Sequence, residues 1–301
     1  GWRAIFWLNL PLGLLGVWLT RRHLAAAPRH AQPLHLAAHL YGMLALGGLA
    51  YVLIQGPGAG WAAPRVLTAA VVAALAAAAF ARHQQRAAQP VLPRALLHDA
   101  AFRRINAIGL LINFNVFGAL FLMTLFIQQA RQASPLATGL NLLPMMVMYT
   151  LGNLITARLM PRHGIAVPLR AGLTLAALGS AAATVVAVLD RGLPAWPLDV
   201  FMAIANFGAA IAIPAVTSSV LGQADREHTN TAAAVLNANR QIGALVGVAA
   251  VGVAMHGASP WALKLPASLT LLTIAFAAAA VLALCSDEVR RASSPAASAR
   301  A

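Results

Sequence analysis

The chain has 301 residues, of which 60% are hydrophobic and 9% charged, with a mean hydropathy of +0.75; a soluble domain, with about a quarter of its residues charged, is excluded. The formal net charge of +14 would suggest a nucleic-acid partner, but the arginines stand singly or in pairs between apolar runs rather than on one face, so nucleic acid is excluded and membrane topology explains them. The one cysteine, Cys285, rules out an internal disulfide framework and a cysteine-based zinc cluster, and reads as a small residue of an apolar helix.

A bilayer-spanning helix takes roughly 20 residues. Apolar runs of that order lie at Ile5–Thr20, Leu36–Ile54, Val66–Ala81, Ile105–Gln128, Thr138–Leu159, Leu169–Leu189, Val200–Leu221, Ala233–Met255 and Ala262–Cys285. The fold class is therefore all-α, a polytopic membrane protein of about nine transmembrane helices. Sixteen of the 21 Lys and Arg residues fall on one side of a strictly alternating path, among them Arg21, Arg22, Arg103, Arg104, Arg158, Arg162 and Arg240; Arg3, Arg65, Arg131, Arg191 and Lys264 make up the other side. That bias puts the first side in the cytoplasm. Outer turns are short and rich in helix breakers, and Trp61, Trp196 and Trp261 fall in them, as interfacial aromatics do.

Residues 1–24 hold the first span, and residues 25–98 hold two further spans followed by a Pro-containing cytoplasmic stretch, about Arg82 to Arg104, that reads as a linker. Six spans follow in residues 99–285, then a small, polar, disordered tail in residues 286–301. The six could form two groups of three, as in inverted-repeat transporters. The internal similarity between the two groups is weak: Asn-Phe-Asn-Val-Phe-Gly from Asn113 in the fourth span and Asn-Phe-Gly from Asn206 in the seventh. No initiating Met is present and no signal peptide is visible, so the expectation is a fragment lacking an N-terminal part.

Three motifs carry a family resemblance. GWRAIFWLNLPLG at Gly1–Gly13 resembles WRWIFxINxPxG, SPLATGLNLLP at Ser134–Pro144 is similar to SxxxAGLxLLP, and VLNANRQIGALVGVA at Val235–Ala249 resembles NxxRQxGGxxGVA. All belong to the fourteen-span drug:proton antiporters of the major facilitator superfamily (EmrB/QacA-like), and they occur here in that family's order. The resemblance implies that the first span is the sixth of fourteen, that the next two are an inserted pair, and that the last six are the C-terminal bundle. It also implies partners: the lipid bilayer, a small-molecule substrate, protons, and periplasmic adaptor and outer-membrane channel proteins. No cofactor is implied. GNLITARLMPRHG at Gly152–Gly164 resembles the family's loop signature, but Pro161 stands where that signature has an acid.

Proton-coupled export needs a titratable group, yet none of the seven acids lies near the middle of a span. Asp199, just inside the outer end of the seventh, is the local candidate for proton coupling. Asn113, Phe117, Leu120 and Thr124 share one helical face of the fourth span, and Asn206 lies on the seventh. Amides facing lipid are costly, so these asparagines bond to neighbouring helices or line a cavity with Phe117 as its aromatic wall. Asn141, Met145, Met148 and Gly152 share a face of the fifth span, where methionine suits either varied apolar ligands or core filling. Asn113, Phe117, Thr124, Asn206, Met145 and Met148 are thus the candidate substrate contacts.

Pro144 and Pro214 interrupt their helices, as gating joints or as static bends. Arg240, ahead of Gly243 and Gly247, either snorkels to headgroups or holds a cytoplasmic gate with Asp225 or Glu227; Arg158 and Arg162 are further gating candidates. His35 and His39 have a two-ligand spacing but no third partner, and read as interfacial histidines rather than a metal site.

The reading is a secondary transporter that exports drug-like or amphipathic molecules by alternating access, driven by protons, and not an enzyme. A lipid-modifying membrane enzyme and a non-transporting structural or regulatory membrane protein are the alternatives. The topology is open to direct test. A cysteine introduced into the turn Pro57–Pro64, with Cys285 replaced by serine, is expected to react with an impermeant maleimide added to intact cells, whereas labelling only after lysis would invert every span.

Overall fold

The computed structural model describes residues 4–23, 36–87, 96, 98–189, 196–225, 228–257 and 259–285. All the regular structure among them is helical. Among the described residues, nine long helices appear where the nine apolar runs were read, most of them extended by a few polar residues at the ends. Eight are long and apolar enough to cross a membrane. The exception is α1 (Ala4–His23), whose last turn carries Arg21, Arg22 and His23. Cations at that end complement the helix dipole, and Arg22 lies over the Trp18 ring at 5.2 Å. The segment Gly1–Leu36, which contains α1, forms a compact unit by itself.

The second unit begins with α2 (Leu36–Ala59) and α3 (Pro64–Arg86), an antiparallel pair joined by a turn in which Gly60 adopts a φ of 88°. Pro64 sits where its missing N–H costs nothing, in the first turn of α3. The two helices come together at Gly48, where an added methyl would stand 2.9 Å from the Ala73 Cβ.

Six helices follow: α4 (Ala100–Leu125), α5 (Pro135–His163), α6 (Ala166–Leu189), α7 (Trp196–Gly222), α8 (Thr229–Met255) and α9 (Trp261–Leu284). Their ends have chemical causes. Asp99 caps α4 by accepting a hydrogen bond from the Ala101 N–H at 2.8 Å, Ser134 caps α5 with Pro135 behind it, and α5 stops at Gly164, whose φ of 71° suits glycine. At its C-terminal end α4 widens into a π-turn over Phe126–Ala130.

The bundle is arranged as two interlocked triplets. α4 packs on α8 and on α9; α7 packs on α5 and on α6 in the same way; α6 meets α9, and α4 meets α7. Exchanging the first three helices for the last three leaves this pattern unchanged, which is the arrangement of an inverted repeat. The echo noticed in the sequence marks equivalent points in it. Gly247 of α8 lies directly on the Phe114 carbonyl of α4, and Gly152 of α5 lies on the Phe207 carbonyl of α7, where an added methyl would come within 2.7 Å. Each Phe follows one of the two echoed asparagines.

Both seams run in parallel steps of one turn. Along α8, Asn239, Gly243 and Gly247 meet Asn106, Leu110 and Phe114 of α4 in turn. Along α5, Gly152 meets Phe207, and Thr156 donates a 2.9 Å hydrogen bond to the Ile211 carbonyl. The α6–α7 seam is equally close, with Gly208 against the Gly172 carbonyl and the Ala176 N–H. Side chains fill what remains. One cluster gathers Phe102, Ile105, Ile112, Leu169, Leu173 and Phe276, and another gathers Leu122, Ile127, Leu198, Met202, Leu269 and Leu272.

Overpacking a tight seam costs about 1–3 kcal/mol or more. Gly247→Leu is therefore expected to lower the thermal midpoint of the detergent-purified protein by several degrees or to abolish its recovery in monodisperse form. Gly139→Ala, whose Cβ would meet nothing within 4 Å, is expected to leave the midpoint unchanged or slightly raised. Equal behaviour of the two variants would contradict the backbone-to-backbone seam.

Candidate functional site

The buried asparagines of the bundle come from its two central helices. Asn106, Asn113 and Asn115 on α4 and Asn206 on α7 are all buried. Each turns its amide NH2 back to a carbonyl one turn earlier: Asn106 to Phe102 at 2.9 Å, and Asn113 to Gly109, Asn115 to Leu111 and Asn206 to Met202 at 3.0 Å. One donor of each amide is thereby satisfied within its own helix. The acceptors differ: Asn106 Oδ1 takes a 3.1 Å bond from the Asn239 amide, whereas Asn115 Oδ1 and Asn206 Oδ1 are buried with no partner. An unmatched buried acceptor costs about 1–3 kcal/mol, so these two oxygens stand ready for any donor that enters.

Phe117 lies one turn beyond Asn113 and is the aromatic side chain that α4 leaves exposed, at 42%. Thr124 is half-buried and its hydroxyl donates to the Leu120 carbonyl at 2.7 Å. Asn113 and Asn206 occupy corresponding places on helices that touch, but no hydrogen bond joins them.

Of the two readings open for the α5 methionines, core filling applies to Met145. Gly152 and Thr156 turn that side of the helix onto α7, so Met145, 4% exposed, is packed in the core rather than presented to a ligand. Met148 remains half-buried, and the amide of Asn141 is spent on the Ala137 carbonyl at 2.8 Å. The open face of α5 is instead an apolar strip at helical spacing that includes Leu140, Leu143, Val147, Leu151 and Leu154.

The gating candidates also separate. Pro144 and Pro214 lie inside continuous helices. Arg158 and Arg162 are exposed near the end of α5. Arg240 is half-buried, its stem beside Gly109 of α4 and its charge within electrostatic range of Tyr149 of α5. It forms no ion pair with Asp225, which is exposed; Glu227 and His35 lie outside the described residues. Of the roles open to Arg240, a pair with Asp225 is not formed: Arg240 leans along the α4–α8 seam while Asp225 stays in the α7–α8 connection. Among the described residues no cluster of His, Cys, Asp or Glu could hold a metal ion.

At the opposite end of the bundle, Asp199 in the first turn of α7 pairs with Arg131 at 3.3 Å. The Arg131 guanidinium lies over the Phe126 ring at 4.8 Å, and that ring packs on Trp261 at 5.6 Å between centroids. The end of α4 and the starts of α7 and α9 are tied in one cluster. The second oxygen of Asp199 is buried without a partner. Two further polar ties were not anticipated from the sequence: Asn106 with Asn239, and the hydroxyls of Ser180, Thr184 and Thr273, which join α6 to α9 at 2.9 Å. Small hydroxyls in apolar helices are too common to be singled out by pattern.

Comparison with known proteins bears on what such a bundle is for. A family profile described as Major Facilitator Superfamily matches residues 1–248. The chain belongs to that superfamily. It is 41% identical over 261 residues to the methylenomycin A resistance protein of Streptomyces coelicolor, covering 87% of this chain and 54% of that one. It is 39% identical over 287 residues to the methylenomycin A resistance protein of Bacillus subtilis, with 94% and 60% covered, and 28% identical over 253 residues to the multidrug resistance protein Stp of Mycobacterium tuberculosis, with 84% and 46% covered. The chain thus spans about half to three-fifths of the length of these relatives. Superfamily membership, eight apolar spans and bacterial relatives make it a multi-pass protein of the bacterial plasma membrane and a transporter relative, not an enzyme.

The Arg131–Asp199 pair is about a quarter exposed on each side, which keeps its strength in the range of partly screened ion pairs. A double-mutant cycle on thermal stability with Arg131→Gln and Asp199→Asn is expected to return a coupling of about 1 kcal/mol. Additive single effects would mean that the two side chains do not act together.

Proposed function

We propose that this chain is the greater part of a proton-driven secondary transporter that exports antibiotic-like small molecules by alternating access, within the fourteen-span drug:proton branch of the superfamily. The observation that supports it best is the two-triplet exchange pattern of α4–α9, in a chain about 40% identical to two methylenomycin A resistance proteins. A relative named as a tetracenomycin C resistance and export protein, 27% identical over 264 residues, points to export in particular. Alternating access requires a second bundle facing this one across the substrate. The exposed strip of α5 and the exposed Phe117 of α4 offer an apolar surface for that arrangement.

In this reading Phe117 is the aromatic wall of the substrate path, with Asn113, Thr124 and Met148 beside it. The unmatched oxygen of Asn206 lies behind and accepts from a bound donor when the helices separate. Pro144 and Pro214 loosen α5 and α7 by each withholding one backbone hydrogen bond. Arg158, Arg162 and Arg240 work at the cytoplasmic end. Asp199, held by Arg131, is the acid available in this chain for proton coupling. Adaptor and channel proteins would complete the route in an organism with an outer membrane.

The test uses the complete gene in an efflux-deficient host. Expression is expected to raise the inhibitory concentration of methylenomycin A several-fold, and a protonophore is expected to restore drug accumulation. Phe117→Ala is expected to change the order of preference among substrates at normal membrane levels. Resistance that persists when the proton gradient is collapsed would overturn the coupling, and no resistance to any antibiotic tested would overturn the export reading.

A further inference from the structure

The pair α2–α3 stands apart from the seams described so far. Its two helices are the least covered of the apolar spans, with only 6% and 11% of their most hydrophobic windows buried. Between them lies a groove of about 480 Å³. Its composition changes along its length. Met43, Leu44, Gly47 and Val72 form an apolar stretch, and Tyr51 and Arg65 stand toward the end where α3 begins. Arg65 to Val72 is seven residues and Met43 to Tyr51 eight, which at 1.5 Å per residue gives a channel roughly 10–12 Å long. One leaflet of the hydrocarbon core is roughly 15 Å thick, so the groove covers most of one leaflet, with its cation at the headgroup end.

Arg65 is exposed, and its guanidinium has no carboxylate partner among the described residues. An unpaired guanidinium at the mouth of an apolar groove is matched by one amphipathic ligand: an anionic headgroup whose phosphate takes paired N–H donors, followed by an acyl chain. We infer that the α2–α3 groove is a binding site for an anionic diacyl phospholipid of the outer leaflet, with the phosphate on Arg65 and one acyl chain lying over Gly47 toward Met43 and Val72. Charge complementarity selects the headgroup, and the gradient from polar mouth to apolar floor fixes the direction of insertion. The site is independent of what the α4–α9 bundle transports.

Two variants separate the parts of this site. Gly47→Leu places a side chain where a Cβ meets nothing within 4 Å, so it fills the groove without striking α3, as a change at Gly48 would. Arg65→Gln removes the charge and keeps the stem. The protein expressed from its complete gene is purified, incubated with phosphatidylglycerol, phosphatidylcholine or glycerol 1-phosphate, and weighed intact by native mass spectrometry.

The wild type is expected to retain one phosphatidylglycerol per chain with about tenfold preference over phosphatidylcholine. Arg65→Gln is expected to bring that preference close to unity, and Gly47→Leu to remove the retained lipid of either kind. An unchanged preference in Arg65→Gln, lipid retained by Gly47→Leu, or displacement of the lipid by glycerol 1-phosphate alone would each overturn the assignment. Transport need not be measured, so failure here is distinct from failure of the export reading.

Discussion

In lipid, two helices gain almost nothing by hiding apolar surface from one another, because the hydrocarbon around them is equally apolar. What remains is close contact and hydrogen bonding, and both demand that side chains be removed from the seam. Gly243 and Gly247 on α8, Gly152 on α5 and Gly208 on α7 meet that demand by letting backbone lie on backbone. The bundle follows from these approaches: α8 is fixed to α4 and α5 to α7, and the two fixed pairs interlock through α6 and α9. Bulky side chains then fill the space left over.

Much of this could be read before the helices were placed. Among the described residues each of the nine apolar runs became a helix, and the two Asn-Phe pairs fall at matching contacts of the two triplets. The stretch from Asn239 to Gly247 was legible as a helix contact because its glycines are four residues apart. For the α5 face both readings stayed open, because helical spacing tells which residues share a side but not which way that side turns. Met145 and Gly152 share a side, and the glycine decided its direction. The Arg131–Asp199 pair was hidden because its members lie 68 positions apart and no local pattern connects them.

Asparagine plays an uneven part in this interior. Four buried amides each return one donor to their own helix, so they disturb the apolar setting less than their side chains suggest. Of the acceptors left over, Asn106 uses its oxygen to tie α4 to α8, whereas Asn115 and Asn206 keep theirs unmatched. The first kind of asparagine is mortar. The second stores a small cost that a bound donor would relieve.

A seam of carbonyls seated on glycines also limits how the molecule can move. Sliding α8 along α4 by a single position would bring Ile242 or Ala244 to the Leu110 carbonyl in place of Gly243, and the gap between the helices holds no space for either. The pair has one stop and no intermediate setting. A displacement of α8 against α4 therefore has to lift the two helices apart rather than slide them along the seam.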